Sequence, residues 1–287
     1  MKIGEEARLT PDTHERERQI SALAGQTLYG DDFSPIEIDM WFADEKGGYY
    51  DLYYRDAKAE RITFDQYEYA GLAERHGFDW LPRCDYDHVL GIGSATGFEL
   101  SPVLERSARV TVLEPSDGFA ATELLGKPVS YVKPLASGLM PFDDASFELI
   151  VCFSVLHHIP NVSTVIREMH RVLRPGGMVL LREPTHSMGD WRQPRRGLTK
   201  HERGIPLPIF RCIVQGGGFH VVKETRCMFS LTSRLQRVMR RRIWTVGWVV
   251  TFDAWLCGLP VWRDRYHADS ISGKLRPTAV AFVLAKV

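Results

Sequence analysis

Three groups of residues in this chain have the types and spacing to do chemistry. The first is a glycine-rich turn, Val89-Leu90-Gly91-Ile92-Gly93-Ser94-Ala95-Thr96-Gly97. Glycines there let the backbone approach a ligand closely and leave the N–H groups of a following helix available to hold it. The next apolar run ends in Glu114 and Pro115. An acidic side chain at the C-terminal end of a strand can accept hydrogen bonds from both hydroxyls of a ribose. The glycine spacing departs from the G-x-G-x-x-G fingerprint of dinucleotide-binding folds, which counts against a nicotinamide-dependent oxidoreductase.

The second group is the pair His157-His158, just past the apolar run Phe147–Phe153. An imidazole, with an ordinary pKa near ~6.5, can act as a general base. The competing reading is structural, with one ring capping the following helix and the other packing beneath it. No metal site is expected, because adjacent residues rarely converge on one ion and no third ligand is evident. The third group is the loop from Arg182 to Arg203, which carries His186, Arg192, Arg195 and Arg196. Guanidinium groups recognise carboxylate or phosphate bidentately. These four residues are therefore candidates for holding an anionic acceptor, such as a sugar phosphate or an acidic glycan. The alternative is a solvated basic loop paired with Glu183, Asp190 and Glu202.

The scaffold that positions these groups is legible from Asp87 onward. Apolar, β-branched runs lie at His88–Ile92, Arg109–Leu113, Val129–Val132, Phe147–Phe153, Met178–Leu181, Phe219–Val222 and Ala279–Ala285, and helical stretches separate them. Between Asn161 and Leu173, Val162, Val165, Ile166, Met169, Val172 and Leu173 recur at helical spacing, and Arg174-Pro175-Gly176-Gly177 stops the helix. Such alternation predicts an α/β fold, a doubly wound, mostly parallel sheet covered by helices on both faces. Residues 1–80 read as an arm followed by a helical cap rich in aromatics, among them Trp41, Phe42, Tyr49, Tyr50, Tyr53, Tyr54, Phe64, Tyr67 and Tyr69. So many aromatics need something to bury against.

Further motifs appear in a fixed order: Met140-Pro141-Phe142 before Ser146-Phe147-Glu148, then Leu156-His157-His158, then Arg171-Val172-Leu173-Arg174-Pro175-Gly176-Gly177. From Val89 to Glu183 the chain resembles the class I methyltransferases of the small-molecule, type 11 kind, in which "LPF…SFD", "LHH" and "RVLRPGG" elements follow one another. The resemblance implies a seven-stranded Rossmann-like sheet, with residues 81–287 as the methyltransferase domain, and S-adenosyl-L-methionine as cofactor. It puts the cofactor on Gly91, Gly93, Ser94, Ala95, Gly97, Glu114, Pro115, Ala136, Ser137 and Phe153. It also puts His157 and His158 beside the reacting centre.

The chain departs from that family at Gly91, where an acidic residue usually orients the amino-acid end of the cofactor. It departs again at Ala136 and Ser137, near which an acidic residue often reads the adenine amino group. The expected function is methyl transfer to a small-molecule or glycan-type acceptor, with O-methylation of an anionic or sugar-containing substrate in view. The departures leave a second reading, a binding or regulatory protein that keeps the fold without catalysis.

Composition sets outer bounds. Lys+Arg and Asp+Glu balance at 36 each in 287 residues, so no global field favours nucleic acid. No Asn/Asp-Pro-Pro-Tyr/Phe element follows the fourth strand, where Phe153-Ser154-Val155-Leu156 stands; a nucleic-acid partner is not expected. Cys84, Cys152, Cys212, Cys227 and Cys257 form no Cys-x-x-Cys pair, and the first twenty residues hold no apolar core of signal-peptide length. A cytoplasmic protein is expected.

One stretch falls outside the resemblance, a helical insertion at about 229–274. There Arg234, Arg237, Arg240, Arg241 and Arg242 lead into an apolar run carrying Trp244, Trp248, Trp255 and Trp262. At ~100° per residue the four tryptophans share one helix face, with Asp253 on the opposite side and Pro260 near the end. A membrane span is disfavoured, because the last strand must return to the sheet. A lid packed on the aromatic cap and a helix lying at a membrane surface through 234–262 both remain open. The second would bring the protein to the inner face of the membrane.

Overall fold

The computed structural model describes residues 11–56, 67–239, 242–268, 270 and 272–287. Three helices come first, α1 (Pro11–Leu23), α2 (Pro35–Asp56) and α3 (Ala70–His76). Then follow β1 (Tyr86–Ile92), α4 (Ser101–Leu104), β2 (Ser107–Leu113), the small hairpin β3 (Glu123–Leu124) and β4 (Lys127–Pro128), β5 (Ser130–Val132) and β6 (Phe147–Phe153). The second half comprises α5 (Val162–Val172), β7 (Leu173–Pro184), α6 (Leu207–Gly216), β8 (His220–Phe229), α7 (Ser230–Met239), α8 (Gly247–Cys257) and β9 (Pro277–Ala285).

Seven strands form one sheet in the order β5-β2-β1-β6-β7-β9-β8, in which β9 pairs antiparallel with both β7 and β8 and the remaining pairs are parallel. The continuous apolar runs follow from burial on both faces. Leu90, Ile92, Ile150, Cys152, Val179 and Leu181 point to the side of α5 and α6. The alternate residues Val89, Leu149, Val151 and Leu180 pack against Phe78, Leu100, Val103 and Leu104. This is the period of two expected of a strand. The doubly wound, mostly parallel α/β sheet expected from the sequence is therefore observed.

The chain runs outward from β1 through β2 to β5, then crosses back to lay β6 on the other side of β1. Open α/β sheets bind ligands in the crevice at such a reversal, outside the carboxyl ends of the strands. The turns after β1 (Gly93) and after β6 (Ser154) meet there. Helix α2 lies over this edge, with Trp41, Phe42, Glu45 and Lys46 lining the crevice. Trp41 of α2 is buried, stacks on His201 at 4.3 Å and donates from Nε1 to the His158 carbonyl at 2.6 Å. Phe64 lies outside the described residues, and so do the side chains of Tyr49, Tyr50, Tyr53 and Tyr54.

The insertion differs from a single helix carrying four tryptophans in line. Trp244 belongs to a separate, buried 3₁₀ turn, and α8 starts only at Gly247 after an extended Val246. Trp262 lies beyond its end against Phe229. On α8 itself the expected polarity holds: Asp253 is fully buried and accepts the N–H groups of Met228 and Phe229, while Trp248 and Trp255 are 74 % and 61 % exposed. The helix packs on β8 and α3. Arg240, Arg241 and the Arg237 side chain lie outside the described residues. Among the described residues no helix is long and apolar enough to cross a membrane.

Candidate active site

The glycine turn holds its shape for identifiable steric reasons. Gly93 adopts φ +60°, and a Cβ there would meet the Val155 side chain at 2.6 Å. Gly97 also sits in the left-handed region, at φ +78°. At Gly91 the reason is different. A Cβ would lie 2.4 Å from Ser94 Oγ and 2.9 Å from Leu100, so the space a side chain would take is already filled. Ser94 Oγ uses that space to donate to Glu99 Oε1 at 2.5 Å. A carboxyl group thus reaches this end of β1 from the turn before α4. Burial pushes Glu99 up to about 7, against the opposing effects of Ser94, Arg182 and Tyr67.

Glu114 ends β2 with its carboxylate buried, one oxygen accepting Ala95 N–H and the other Ser116 N–H. Burial raises its pKa, and the two backbone hydrogen bonds oppose the rise. Each oxygen keeps a second lone pair. Glu114, Pro115 and Ala136 line a slot whose walls are mostly apolar, including Leu113, Leu135 and Met140, with Glu45, Lys46, Ser154 and His158 toward one side. Ser137 is turned aside, its hydroxyl toward Leu139 N–H and its carbonyl accepting from Asn161 Nδ2.

A second cavity adjoins this slot, and the two share Gly93, Ser154 and His158. Ser94, Ala95, Glu99, Phe153, His157 and Glu202 line the second one. Gly91 and Gly97 line neither and serve the shape of the turn. Arg182 is buried beside this cavity over the rings of Tyr69 and Phe153, and donates to Tyr67 Oη at 3.0 Å. Its Nε and Nη1 find no partner among the described residues. The groove as a whole suits an elongated ligand with a flat ring at one end and charged groups at the other.

Both histidines stand at the cavity wall, each held by a carboxylate. His157 Nδ1 lies 2.7 Å from Glu183 Oε2, and its Nε2 faces Glu202 Oε1 at 3.6 Å. His158 Nδ1 lies 2.8 Å from Glu45 Oε2 and 3.1 Å from Thr199 Oγ1. Burial alone would lower the His157 pKa, but Glu183 and Glu202 outweigh it and lift it to about 9. Burial likewise works against ionised Glu202, yet His157 and His158 bring it down to about 2. Arg203 ties the histidine turn from behind, donating to the carbonyls of His157, Ile159 and Pro160.

The loop arginines are placed elsewhere. Arg192 is exposed and pairs with Asp190 at 2.8 Å. Arg195 spends its guanidinium on the carbonyls of Met188, Thr199, Lys200 and Glu202. Arg196 is exposed, and none of the three lines the groove. His186 is held by the Thr278 carbonyl in a different cavity, beside Arg226 and Arg276. The anionic-acceptor contacts expected of these four residues therefore do not converge on the groove. A basic loop tied by its own carbonyls and by Asp190 is observed, while Glu183 and Glu202 serve the histidines.

Glu45, Glu99, Glu183 and Glu202 were not singled out as site residues by the sequence. They are brought together by tertiary structure, and none stands at a motif spacing from the histidines. Glu202 joins His157 and His158 at the cavity wall, which the adjacency of the two histidines did not reveal.

Residues 90–181 match the model of a methyltransferase domain family. A ubiquinone biosynthesis O-methyltransferase of Pseudomonas aeruginosa (strain UCBPP-PA14) is 31 % identical over 98 residues, covering 32 % of this chain and 42 % of that protein. The protein of the same description from Dechloromonas aromatica (strain RCB) is 34 % identical over 98 residues, with the same shares. The chain thus spans 42 % of the length of these curated relatives. An S-adenosylmethionine dependent methyltransferase from Mesorhizobium loti has a similar fold, with a TM-score of 0.51 at 15 % identity over 77 % of this chain and 99 % of that one.

Proposed function

We propose, from the premise that residues 90–181 are a class I S-adenosyl-L-methionine-dependent methyltransferase domain, that this chain methylates an oxygen of a small acceptor bound against His157, His158 and Glu202. The observation carrying this reading is the groove itself, which joins a ring-shaped slot at Glu114 to a cavity lined by two imidazoles and a carboxylate. The relatives described as O-methyltransferases favour oxygen as the acceptor atom.

The residues present fit the cofactor. Glu114 would take the ribose hydroxyls, and the slot of Leu113, Leu135 and Met140 the adenine. At the other end, Glu99 and the turn residues Ser94 and Ala95 would take the charged amino-acid end, with buried Arg182 behind the cavity wall adding positive charge. Bound there, the cofactor supplies an activated methyl group on a sulfonium. The protein has to align the acceptor, exclude water and take up the hydroxyl proton. Tyr67, Tyr69 and Phe153 wall the cavity, and the hydroxyl proton would leave toward His158, with His157 and Glu202 beside it. The wall carries both signs, Glu68, Glu99 and Glu202 against Arg242 and the two imidazoles, and the aromatic rings beside them suit a neutral hydroxylated acceptor. Transfer of label from the cofactor to neutral phenols and polyols, compared in the native chain and in Glu202→Gln, tests this. Equal label transfer by both would remove the cluster from the reaction.

The same reading includes a membrane contact. Trp248, Phe252 and Trp255 lie exposed on one face of α8, with Leu231 and Leu235 exposed on the neighbouring α7. Exposed Arg234 and Arg242 flank them, and Arg75 reaches Thr251 of α8. Tryptophan suits the headgroup layer and arginine suits anionic lipid.

A further inference from the structure

We propose that His157, His158 and Glu202 form the site of a first-row divalent metal ion at the acceptor end of the groove. One ligand atom from each residue lies within 4.8 Å of those of the other two. His157 Nε2 and Glu202 Oε1 stand 3.6 Å apart. That separation is too long for a good hydrogen bond. It suits two donors of one ion, since bonds of ~2.0–2.2 Å to a common metal hold neighbouring ligands roughly 3–3.6 Å apart.

The orientation of the rings points the same way. Both imidazoles give Nδ1 to a buried carboxylate, Glu183 in one case and Glu45 in the other. In His157 a proton on Nδ1 puts the lone pair on Nε2, the atom that faces Glu202, and a carboxylate behind the ring is the usual support of a metal-bound histidine. The supports are themselves fixed. Glu183 accepts the N–H groups of Val155, Leu156 and His157. Glu45 accepts from Thr199 Oγ1 and from His201 N–H.

Charge and access complete the argument. Three buried carboxylates, Glu45, Glu183 and Glu202, gather around two rings. The nearby guanidiniums of Arg195 and Arg203 supply part of the balancing charge, and a dication would supply the rest in place of a ring proton. All three donors also line the cavity, so coordination positions remain open toward a ligand, as in catalytic metal sites. Two imidazoles with one carboxylate select zinc, iron, cobalt or manganese over magnesium or calcium, which prefer oxygen alone. The metal site stands on this donor set. Its use rests on the methyl-transfer reading: a cation beside an acceptor hydroxyl lowers the pKa of that hydroxyl.

The test titrates chelator-treated native protein with Co²⁺, read by visible absorption, and with Zn²⁺, read by calorimetry. One ion per chain is expected, with affinity reduced about tenfold or more in Glu202→Gln, His158→Gln and the supporting variant Glu45→Gln. His158 is half-buried, so its variant carries the test if the buried substitutions do not fold. Absence of stoichiometric uptake by the native chain overturns the site, and so does uptake unchanged in His158→Gln. A parallel titration of the native chain with S-adenosylhomocysteine separates the two readings: metal uptake without nucleoside binding overturns methyl transfer and leaves the metal site standing.

Discussion

His157 Nδ1 lies 2.7 Å from Glu183 Oε2, and that same carboxylate accepts the backbone N–H groups of Val155, Leu156 and His157. One fully buried side chain from β7 therefore sets both the turn after β6 and the ring that the turn carries. Glu183→Gln keeps the shape but removes the charge and turns an amide N–H group toward other donors. Removing one member of a buried pair costs roughly 3–5 kcal/mol. Thermal and urea unfolding of Glu183→Gln should show a loss of that order, and a loss below ~1 kcal/mol would contradict this account of the turn.

Arg195 and Arg192 should behave differently although they are three positions apart. Arg195 closes its loop through four carbonyls, whereas Arg192 meets Asp190 at the surface. Arg195→Ala is expected to destabilise the chain by about 1.5–3 kcal/mol, and Arg192→Ala by less than ~0.5 kcal/mol. Neither should alter the apparent affinity for an acceptor in the way a direct contact would. A selective rise in the acceptor constant for Arg192→Ala would restore that loop as a binding element.

His76 gives the stability of the chain a pH dependence. Burial lowers its pKa to about 4, and Arg75, Arg182 and Lys223 push in the same direction. The unfolded chain, with an ordinary histidine near ~6.5, binds more protons than the folded one between those values. This contribution to stability is complete above pH ~6.5 and is lost as the pH falls toward 4. By pH 5 it amounts to roughly 2 kcal/mol. Urea unfolding at pH 7 and pH 5 should show His76→Leu losing about that much less than the native chain. Parallel losses would remove His76 as the cause.

The aromatic face of α8 predicts association with anionic vesicles. Flotation with phosphatidylglycerol-containing liposomes should recover the native chain, and phosphatidylcholine alone should recover less. Replacing Trp248 and Trp255 together by alanine should abolish recovery while leaving thermal stability within ~1 kcal/mol, because both rings are exposed. Equal recovery of the double variant would place the contact elsewhere.

The sheet was readable because its strands are buried on both faces. Phe147–Phe153 has the same bounds in sequence and structure, and α5 differs by one residue at each end from the run Asn161–Leu173. The shape of the glycine turn was readable as far as it depends on local backbone, namely left-handed Gly93 and Gly97, and so was the placing of Glu114 at the end of β2. The carboxyl group near Gly91 was not readable, because Glu99 reaches Ser94 there only through the fold of the turn. The tryptophan phase failed at Trp244, where extended Val246 separates a 3₁₀ turn from α8. It held at Asp253, which is inward as the helical period requires. Arginine-rich composition suggested an anion site, whereas Arg195 and Arg203 turn out to cap backbone carbonyls, a role that composition does not distinguish.

The central claim is that the groove between Gly93 and Glu114 holds S-adenosyl-L-methionine. Calorimetric titration of the native chain and of Glu114→Ala with S-adenosylhomocysteine tests it most directly. The account predicts micromolar binding that the substitution weakens about tenfold or more, in keeping with loss of hydrogen bonds to a charged group. No binding by the native chain, or binding that Glu114→Ala leaves unchanged, would contradict it.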